Sequence, residues 1–244
     1  MVDVAVAQAQ GPRDHMEDFV RFEQGFLGHE ERLYVGVFDG HGGDAVSRAA
    51  ASQFHKVLAA ELDRGGSERE AIGRAFRTFD DSVAEETGGA VAAVVLLDKD
   101  AAWVANVGDV TVLLVSRHEE RILTADHRLT NETEYARVKS AGAIVRFPYA
   151  FLPGGEGLMP TRSLGDREFR AIGILAVPEI ASVRLSADDI WLVAGTDGVF
   201  DPLEPAAVAR LARAATTARL AAERILKAAL AAGDDNVSVV AIRR

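Results

Sequence analysis

Residues 33–43 read LYVGVFDGHGG, an apolar run that ends in an aspartate and continues into a glycine-rich loop. The apolar part, 33–38, is short and rich in β-branched and aromatic side chains, which is typical of a buried β-strand. Asp39 is therefore expected at a strand end, at the edge of a sheet. The pattern recurs at Asp197, which follows the predicted strand 190–194 and precedes a glycine. Two such strand ends predict that carboxylates meet at one sheet edge.

Length and side-chain type predict strands in eight segments, at 2–7, 19–22, 33–38, 91–97, 103–107, 110–115, 190–194 and 237–242. Apolar stripes and capping signals predict helices at 44–62, 68–86, 131–141 and around 222–230. Tight turns such as Asp98-Lys99-Asp100 join successive strands, which favours antiparallel hairpins over alternating βαβ units. The sequence therefore predicts an α+β fold in which helices cover antiparallel sheets.

The chain has 244 residues and no linker, repeat or low-complexity tract, which favours a single domain over 1–244. Lys and Arg number 27 against 37 Asp and Glu, and the net charge of −10 argues against nucleic acid as a partner. The longest apolar run, 90–97, is too short to span a bilayer, and the N-terminal residues lack a signal-peptide pattern. We therefore expect a cytoplasmic protein with no membrane partner.

The chain contains no cysteine, which excludes disulfides, thiolate zinc sites and a cysteine nucleophile. Its carboxylates, in contrast, recur at or near predicted strand ends: Glu17, Asp18, Asp39, Asp109, Asp197, Asp201 and Asp235. If these side chains converge, hard divalent cations, Mg²⁺ or Mn²⁺, are the usual means of offsetting their repulsion. The alternative is that Asp and Gly only mark turns, which suits any single pair. The whole set favours a metal site.

Seven motifs, in order along the chain, resemble those of the metal-dependent protein Ser/Thr phosphatases, the PPM or type 2C family. They are RDHMED at 13–18, VGVFDGHGG at 35–43, ANVGD at 105–109, LTADH at 123–127, TRSLGD at 161–166, TDGVFD at 196–201 and DDNVS at 234–238. The resemblance implies a four-layer αββα sandwich, with two antiparallel β-sheets flanked by helices. It further implies one catalytic domain over 1–244 with a variable flap at about 143–160.

The resemblance implies two divalent ions, Mn²⁺ or Mg²⁺, that share Asp39 as a bridging ligand. By the same likeness, Asp197 and Asp235 would complete the protein ligands of one ion. Glu17 and the backbone carbonyl of Gly40 would serve the other. Two such ions activate a bridging water for in-line attack on phosphorus, so no covalent phosphoenzyme is needed.

The resemblance also assigns roles to three residues around the metal pair. Asp18 would orient metal-bound water from behind the ligands. Arg13 would bind the phosphoryl oxygens with its planar fork of donors, the alternative being an ordinary ion pair with Asp14 or Glu17. His41 would protonate the leaving serine or threonine oxygen, since its ordinary pKa lies near working pH.

A third, weaker ion is implied at Asp109, Asp197 and Asp201. The chain departs from the family pattern at three places: it has Gly89-Ala90-Val91-Ala92 for Gly-Ser/Thr-Thr-Ala, Val110-Thr111 for Ser-Arg, and Asp234 where an Arg is common. None of them removes a predicted ligand. The lost hydroxyls and the lost Arg loosen the support of Asp109.

The function implied by the resemblance is a phosphoprotein phosphatase that acts on phosphoserine and phosphothreonine. It would be a stand-alone, monomeric signal-transduction enzyme that opposes a Ser/Thr kinase. One alternative keeps the fold as a catalytically weak module that binds phosphoproteins. A second alternative uses the same metal centre to hydrolyse small phosphoesters.

Two further segments leave alternatives open. Residues 147–159 are rich in Pro, Gly and aromatic residues, and they form either a substrate-selecting loop or a plain surface excursion. Asp98-Lys99-Asp100 resembles the nucleophile motif of haloacid-dehalogenase-type phosphatases. Ala102 in place of Thr or Val, and the strand that follows at once, favour a charged hairpin turn.

His127 lies in a motif but is predicted to be structural.

Overall fold

The computed structural model describes residues 2–244, and within them the chain forms three antiparallel sheets. The strands are β1 (Asp3–Ala9), β2 (Phe19–Gln24), β3 (Leu33–His41), β4 (Gly89–Leu97), β5 (Ala101–Val107), β6 (Thr111–Ser116), β7 (Glu120–Ile122), β8 (Ile144–Arg146), β9 (Tyr149–Phe151), β10 (Gly157–Leu158), β11 (Leu164–Gly165), β12 (Glu179–Arg184), β13 (Asp189–Gly195) and β14 (Val237–Arg243). The helices are α1 (Ala45–Asp63), α2 (Glu68–Ser82), α3 (Glu132–Ser140), α4 (Asp197–Phe200), α5 (Pro205–Arg213) and α6 (Ala218–Ala232). Short 3₁₀ turns cover Phe26–Gly28 and Arg167–Ile172.

The two large sheets have the strand orders β1-β14-β13-β6-β7 and β12-β5-β4-β3-β2, and β11 pairs with β4 beside the second sheet. A small third sheet, β10-β9-β8, lies in the region predicted as the flap. Every strand pair is antiparallel, as the tight turns predicted. The turn at Asp98-Lys99-Asp100 joins β4 to β5, and the Asp98 N–H donates to the Ala101 carbonyl at 2.8 Å.

Side chains on the two faces of β3 separate the layers of the molecule. Tyr34 and Phe38 pack with Phe54 and other residues of α1 and α2. Val35, on the opposite face, belongs to the apolar layer shared with Leu192 of the other large sheet. This division follows from the alternation of side chains along a strand, which sends successive residues to opposite faces. Both faces of this sheet are therefore buried.

The other large sheet, which contains β13 and β14, is covered in the same way on its outer face. Trp191 and Val193 of β13 pack against Val208 of α5 and Ile225 of α6. The order of layers is helices, sheet, sheet, helices, which is the predicted αββα sandwich. In the described part of the chain, no helix is both long and apolar enough to cross a membrane.

The predicted strands and helices are confirmed, with bounds that shift by a few residues. One helix was predicted too long, because 68–86 extends beyond the observed end of α2 at Ser82. The Val83 N–H donates to the Phe79 carbonyl, and the chain then turns toward Gly88, whose φ of 76° lies in the left-handed region. The helix predicted around 222–230 begins earlier, since the Thr217 hydroxyl accepts the Leu220 N–H at 3.2 Å.

The segment 143–160, which we call the flap, forms part of a small unit with its own apolar core. The strands β8, β9 and β10 pack with α3 around their own apolar cluster, whose members include Val138, Ala150, Leu158 and Phe169. The segment 147–159, for which the sequence left open a substrate-selecting loop or a plain surface excursion, thus contains two of these short strands. The three strands have only two or three residues each, which is too short for a recognisable alternation of side chains.

Glu134 of α3 ties the flap to the chain that follows it. Its side chain is 1% exposed and accepts hydrogen bonds from Arg137 Nη1 at 2.6 Å, Arg162 Nη2 at 2.8 Å and Thr161 Oγ1 at 2.7 Å. Burial alone would raise the pKa of this carboxyl group, but these donors lower it to about 2. Glu134 therefore stays ionised in the folded protein at pH values at which it is already protonated in the unfolded chain.

Glu134→Gln is expected to lower the free energy of unfolding at pH 7 by about 2 kcal/mol, because two arginines lose a charged acceptor. A carboxyl group whose pKa is depressed on folding stabilises the fold above its unfolded pKa, and this contribution fades as pH falls. The deficit of the variant should therefore shrink between pH 5 and pH 3 in urea unfolding. The control is Glu132→Gln, on the same helix and exposed. A deficit that does not change with pH would contradict this account.

Candidate active site

A cavity of about 530 Å³ opens at the edge where loops of the two large sheets meet. Most of the residues predicted for the site line it: Arg13, Glu17, Asp39, Gly40, His41, Asp109, Asp197 and Asp235. Asp18 is buried beside them, and Asp201 lines an adjoining hollow together with Asp197 and Asp235. The structure therefore brings the predicted site residues into one region, although the motifs that contain them are spread along the chain.

Each carboxylate is placed by the end of a strand. Asp39 lies near the end of β3, opposite Val91 of β4. Asp197 begins α4 two residues after the end of β13, and Asp235 lies two residues before the start of β14. Because β13 and β14 are hydrogen-bonded neighbours, Asp197 and Asp235 enter the cavity from one sheet while Asp39 enters from the other. The convergence predicted from the two Asp-Gly strand ends is therefore observed.

The carboxylates carry negative charge that the protein only partly offsets. Burial raises the pKa of Asp39 well above its usual range, and the charges of Asp18, Asp197, Asp109 and Asp235 raise it further. Burial raises the pKa of Asp197 to about 7, again with help from the neighbouring aspartates. Within residues 2–244, no Lys or Arg forms an ion pair with Asp39. A cation bound beside Asp39 would therefore relieve strong repulsion.

Glu17 and Gly40 are fixed beside each other at the rim of this cavity. The Gly40 N–H donates to the Glu17 carbonyl at 3.2 Å, and the Glu17 carboxylate accepts the Gly43 N–H at 2.7 Å. The Glu17 N–H in turn donates to the Asn236 side chain at 2.8 Å. These bonds hold the Glu17 carboxylate near the loop that follows β3. Sequence reasoning did not single out Asn236, which lies in the last of the seven motifs.

The donors suit Mg²⁺ or Mn²⁺ by type, since Glu17, Asp39, Asp197, Asp235 and the Gly40 carbonyl all offer hard oxygen atoms. Across residues 2–244, no three His, Asp or Glu side chains are gathered closely enough to form a ready-made metal group. Two of the carboxylates instead contact arginines. Arg13 Nη2 lies 2.5 Å from Asp235 Oδ2, and Arg128 Nη2 lies 3.2 Å from Asp197 Oδ2. The oxygen donors of these residues therefore suit a divalent ion. Two of the carboxylates, those of Asp235 and Asp197, form ion pairs with arginines.

Arg13 lies at the mouth of the cavity with 54% of its side chain exposed. The ion-pair alternative named Asp14 or Glu17 as its partner, and the structure shows Asp235 in their place. Beneath the cavity, Asp18 accepts a hydrogen bond from the Thr196 hydroxyl at 3.1 Å. Both positions are compatible with the predicted roles, which stay predictions.

His41 is paired with a residue to which sequence reasoning gave no role. Its Nε2 atom lies 2.7 Å from Asp166 Oδ2, and the Asp166 side chain is 3% exposed. Asp166 has a φ of 48°, a left-handed conformation that is uncommon for a residue with a Cβ. Burial alone would lower the pKa of His41, but the hydrogen bond and charge of Asp166 outweigh it and raise the pKa. The TRSLGD motif marked Asp166, but nothing in the sequence indicated its partner.

Arg128 is the second site residue that sequence reasoning missed. Its guanidinium contacts Asp109, Asp197 and Asp201, the three residues predicted to hold a third ion. The preceding residue, His127, is fully buried, and its Nδ1 accepts the Gly108 N–H at 3.1 Å. Burial lowers the pKa of His127. This contact supports the structural role predicted for His127.

The flap forms one wall of the cavity. Tyr149 of β9 and Leu158 of β10 line it, followed by Met159 and Pro160. Tyr149 and the neighbouring Phe147 are large and exposed side chains. A ligand in the cavity would therefore contact the flap as well as the carboxylates.

Fold and site define the class of the protein: an αββα sandwich with a carboxylate-lined cavity at one edge of its paired sheets. The chain belongs to the protein phosphatase 2C family, whose family model matches residues 2–237. Members of this family are metal-dependent in general. The match covers all of the site residues described above.

The curated relatives agree with this family. The chain is 32% identical over 207 residues to protein phosphatase 2C homolog 2 of Aspergillus flavus, covering 79% of this chain and 47% of the relative. It is 28% identical over 249 residues to a probable protein phosphatase 2C of Arabidopsis thaliana, covering 96% and 86%. The chain thus spans about half the length of the Aspergillus relatives that it matches.

Solved structures share the fold. A serine-threonine phosphatase 2C from Toxoplasma gondii superposes with a TM-score of 0.89 at 19% identity, covering 99% of this chain and 94% of that one. A sex-determining protein of Caenorhabditis elegans superposes with a TM-score of 0.86 at 26% identity, covering 99% and 64%. The first likeness shows the fold alone, because its sequence identity is low.

Proposed function

We propose that this chain is a metal-dependent phosphoprotein phosphatase that acts on phosphoserine and phosphothreonine. The observation that carries the proposal is the cavity in which Asp39, without an ion-pair partner among residues 2–244, faces further carboxylates beside the His41–Asp166 pair. Clustered hard oxygen donors attract divalent cations, and a divalent centre suits the hydrolysis of a phosphomonoester. Membership of the family supports the same reaction.

Two divalent ions are the cofactor that we infer. Asp39 would be shared, Asp197 and Asp235 would serve one ion, and Glu17 with the Gly40 carbonyl would serve the other. When bound, such ions supply a nucleophile derived from water and stabilise the negative charge of the phosphoryl group. Asp18, which accepts a hydrogen bond from the Thr196 hydroxyl, would lie outside the direct metal ligands and help to position them.

Arg13 and His41 are the residues that we infer to act on the substrate itself. The Arg13 side chain is 54% exposed, and its guanidinium would turn from Asp235 toward an incoming phosphate and bind it with two parallel hydrogen bonds. His41, whose pKa is raised by the hydrogen bond and charge of Asp166, would donate a proton to the leaving alkoxide. Asp166 acts through His41, so it is a positioning residue.

Gly89→Ala is expected to disrupt the His41–Asp166 pair. A Cβ atom at this position would lie 2.1 Å from Asp166 Oδ2 and 2.7 Å from His41 Nε2, so at least one side chain must move. We expect turnover of a phosphothreonine peptide to fall by about 10- to 100-fold, because the proton donor is displaced. Far-ultraviolet circular dichroism checks that the fold is kept. The control is Gly154→Ala in the flap, where a Cβ would meet nothing within 4 Å. Equal rates for both variants would contradict this role of Asp166.

The deciding experiment compares three ligands with Mn²⁺ present: a phosphothreonine peptide, an aryl phosphate and a phosphoserine peptide. Turnover of the peptides supports the proposal. Turnover of the aryl phosphate alone would favour the small-phosphoester hydrolase. Binding of peptides without turnover of any substrate would favour the phosphoprotein-binding module.

A further inference from the structure

All three nitrogen atoms of the Arg128 guanidinium donate to aspartates at the edge of the cavity. Nε lies 2.5 Å from Asp109 Oδ2, and Nη2 lies 3.2 Å from Asp197 Oδ2. Nη1 reaches both carboxylate oxygens of Asp201, at 3.0 and 3.2 Å, and Nη2 also contacts Asp201, at 3.2 Å. The Arg128 side chain is only 20% exposed. A planar cation is thus enclosed by three carboxylates.

The electrostatics of this cluster suit a permanent positive charge. Asp109 is buried, Asp197 is largely buried, and Asp126 lies close enough to raise the negative potential further. Burial opposes the charge of Arg128, but Asp109 and Asp201 outweigh that effect and raise the pKa of the guanidinium above its usual value. Arginine keeps its charge in such surroundings, and its rigid fork can bind several carboxylates at once.

The backbone fixes Arg128 in this position. Arg128 forms an isolated antiparallel bridge with Pro160, at the end of the flap. The carbonyl of His127 accepts the Thr161 N–H at 2.7 Å, which continues the same contact. The side chain therefore extends into the cluster from an anchored point of the main chain.

We propose that Arg128 is a built-in cation that takes the place of a third divalent ion at Asp109, Asp197 and Asp201. A guanidinium and a hydrated divalent ion cannot occupy the same space between these three carboxylates. Through its contact with Asp197, Arg128 also positions a ligand of the two-ion centre, and this part of the inference rests on the proposed function. The chain should then hold two ions, where the family resemblance implies a third.

The test is a count of bound Mn²⁺ per chain by equilibrium dialysis at rising metal concentration up to the millimolar range. We expect two ions for the native protein and two for Arg128→Lys, which keeps a cation. Arg128→Ala should gain one weaker ion, and adding Asp201→Asn to that variant should remove it. Asp201→Asn alone should bind two ions like the native protein, because Asp201 serves Arg128.

Three ions on the native protein, or a loss of one ion on Asp201→Asn alone, would overturn the inference. These two measurements remain decisive if Arg128→Ala does not fold, since Asp201 is 57% exposed and its change to Asn should be tolerated. A native chain that binds no Mn²⁺ would contradict the proposed metal centre. In that event the inference would be decided by Arg128→Ala alone, for which a gained ion supports it and no gain contradicts it.

Discussion

Asp39→Asn should reduce metal-dependent turnover of a phosphothreonine peptide by about 1,000-fold or more, because the ligand shared by both inferred ions loses its charge. The variant should fold, since Asn has nearly the same shape and Asp39 forms no ion pair among residues 2–244. Mn²⁺ binding, followed by calorimetry, should weaken in parallel with turnover. A variant that keeps turnover within about tenfold of the native rate would contradict the role of Asp39.

The same variant has an effect that does not depend on turnover. In a chelator, Asp39→Asn should melt at a higher temperature than the native protein, by about 2 °C or more, because one of several repelling carboxylates is removed. Adding Mn²⁺ should raise the melting temperature of the native protein and leave the variant nearly unchanged. The matched control is Asp63→Asn, an exposed aspartate at the end of α1, which should behave as native in both assays.

His41→Ala should slow hydrolysis of alkyl phosphates, including phosphothreonine, by about 100-fold or more through loss of a general acid. Aryl phosphates should be slowed far less, because a phenolate leaves without a proton. The ratio of the two rates is the measurement, since misfolding or weaker metal binding would lower both rates together.

Two further variants serve as comparisons for His41→Ala. Asp166→Asn should show the same dependence on the leaving group to a smaller degree, since His41 keeps a hydrogen-bond partner but loses the charge that favours its protonated form. His29→Ala, at an exposed turn, should leave both rates unchanged. Equal slowing of alkyl and aryl phosphates by His41→Ala would rule out its role as the acid.

The strands could be predicted from short runs rich in β-branched and aromatic residues, and the helices from apolar residues at helical spacing and from capping signals. The strand at 33–38 was recognised from its short apolar run of β-branched and aromatic residues, but it continues to His41 because Asp39, Gly40 and His41 pair with 89–91 of β4. Such pairing depends on a distant partner strand, so residue type alone does not reveal it. The flap strands were missed for a related reason, since two or three residues cannot show a period.

The positions of the carboxylates could be predicted from strand ends and motifs, whereas their partners could not. His41 and Asp166 are separated by 125 residues, and Arg128 and Asp201 by 73. Nothing in the local sequence marks Arg128 as different from the other arginines of the chain. Its role depends on three aspartates that only the folded sheets bring together. The net charge of −10 likewise does not indicate how charge is distributed at this site, where arginines form ion pairs with the carboxylates.

Several sequence-based expectations stay predictions. They are the single-domain organisation over 1–244, the monomeric state, the opposing Ser/Thr kinase and the cytoplasmic location.

The central claim is that the carboxylate cavity works as a divalent-metal phosphatase centre. Its most direct test is turnover of a phosphothreonine peptide by the native protein after metal is stripped with a chelator, and again as Mn²⁺ is restored. The account predicts no turnover in the stripped protein and a saturable recovery with Mn²⁺. Turnover that persists in the chelator, or none at any Mn²⁺ concentration, would contradict it.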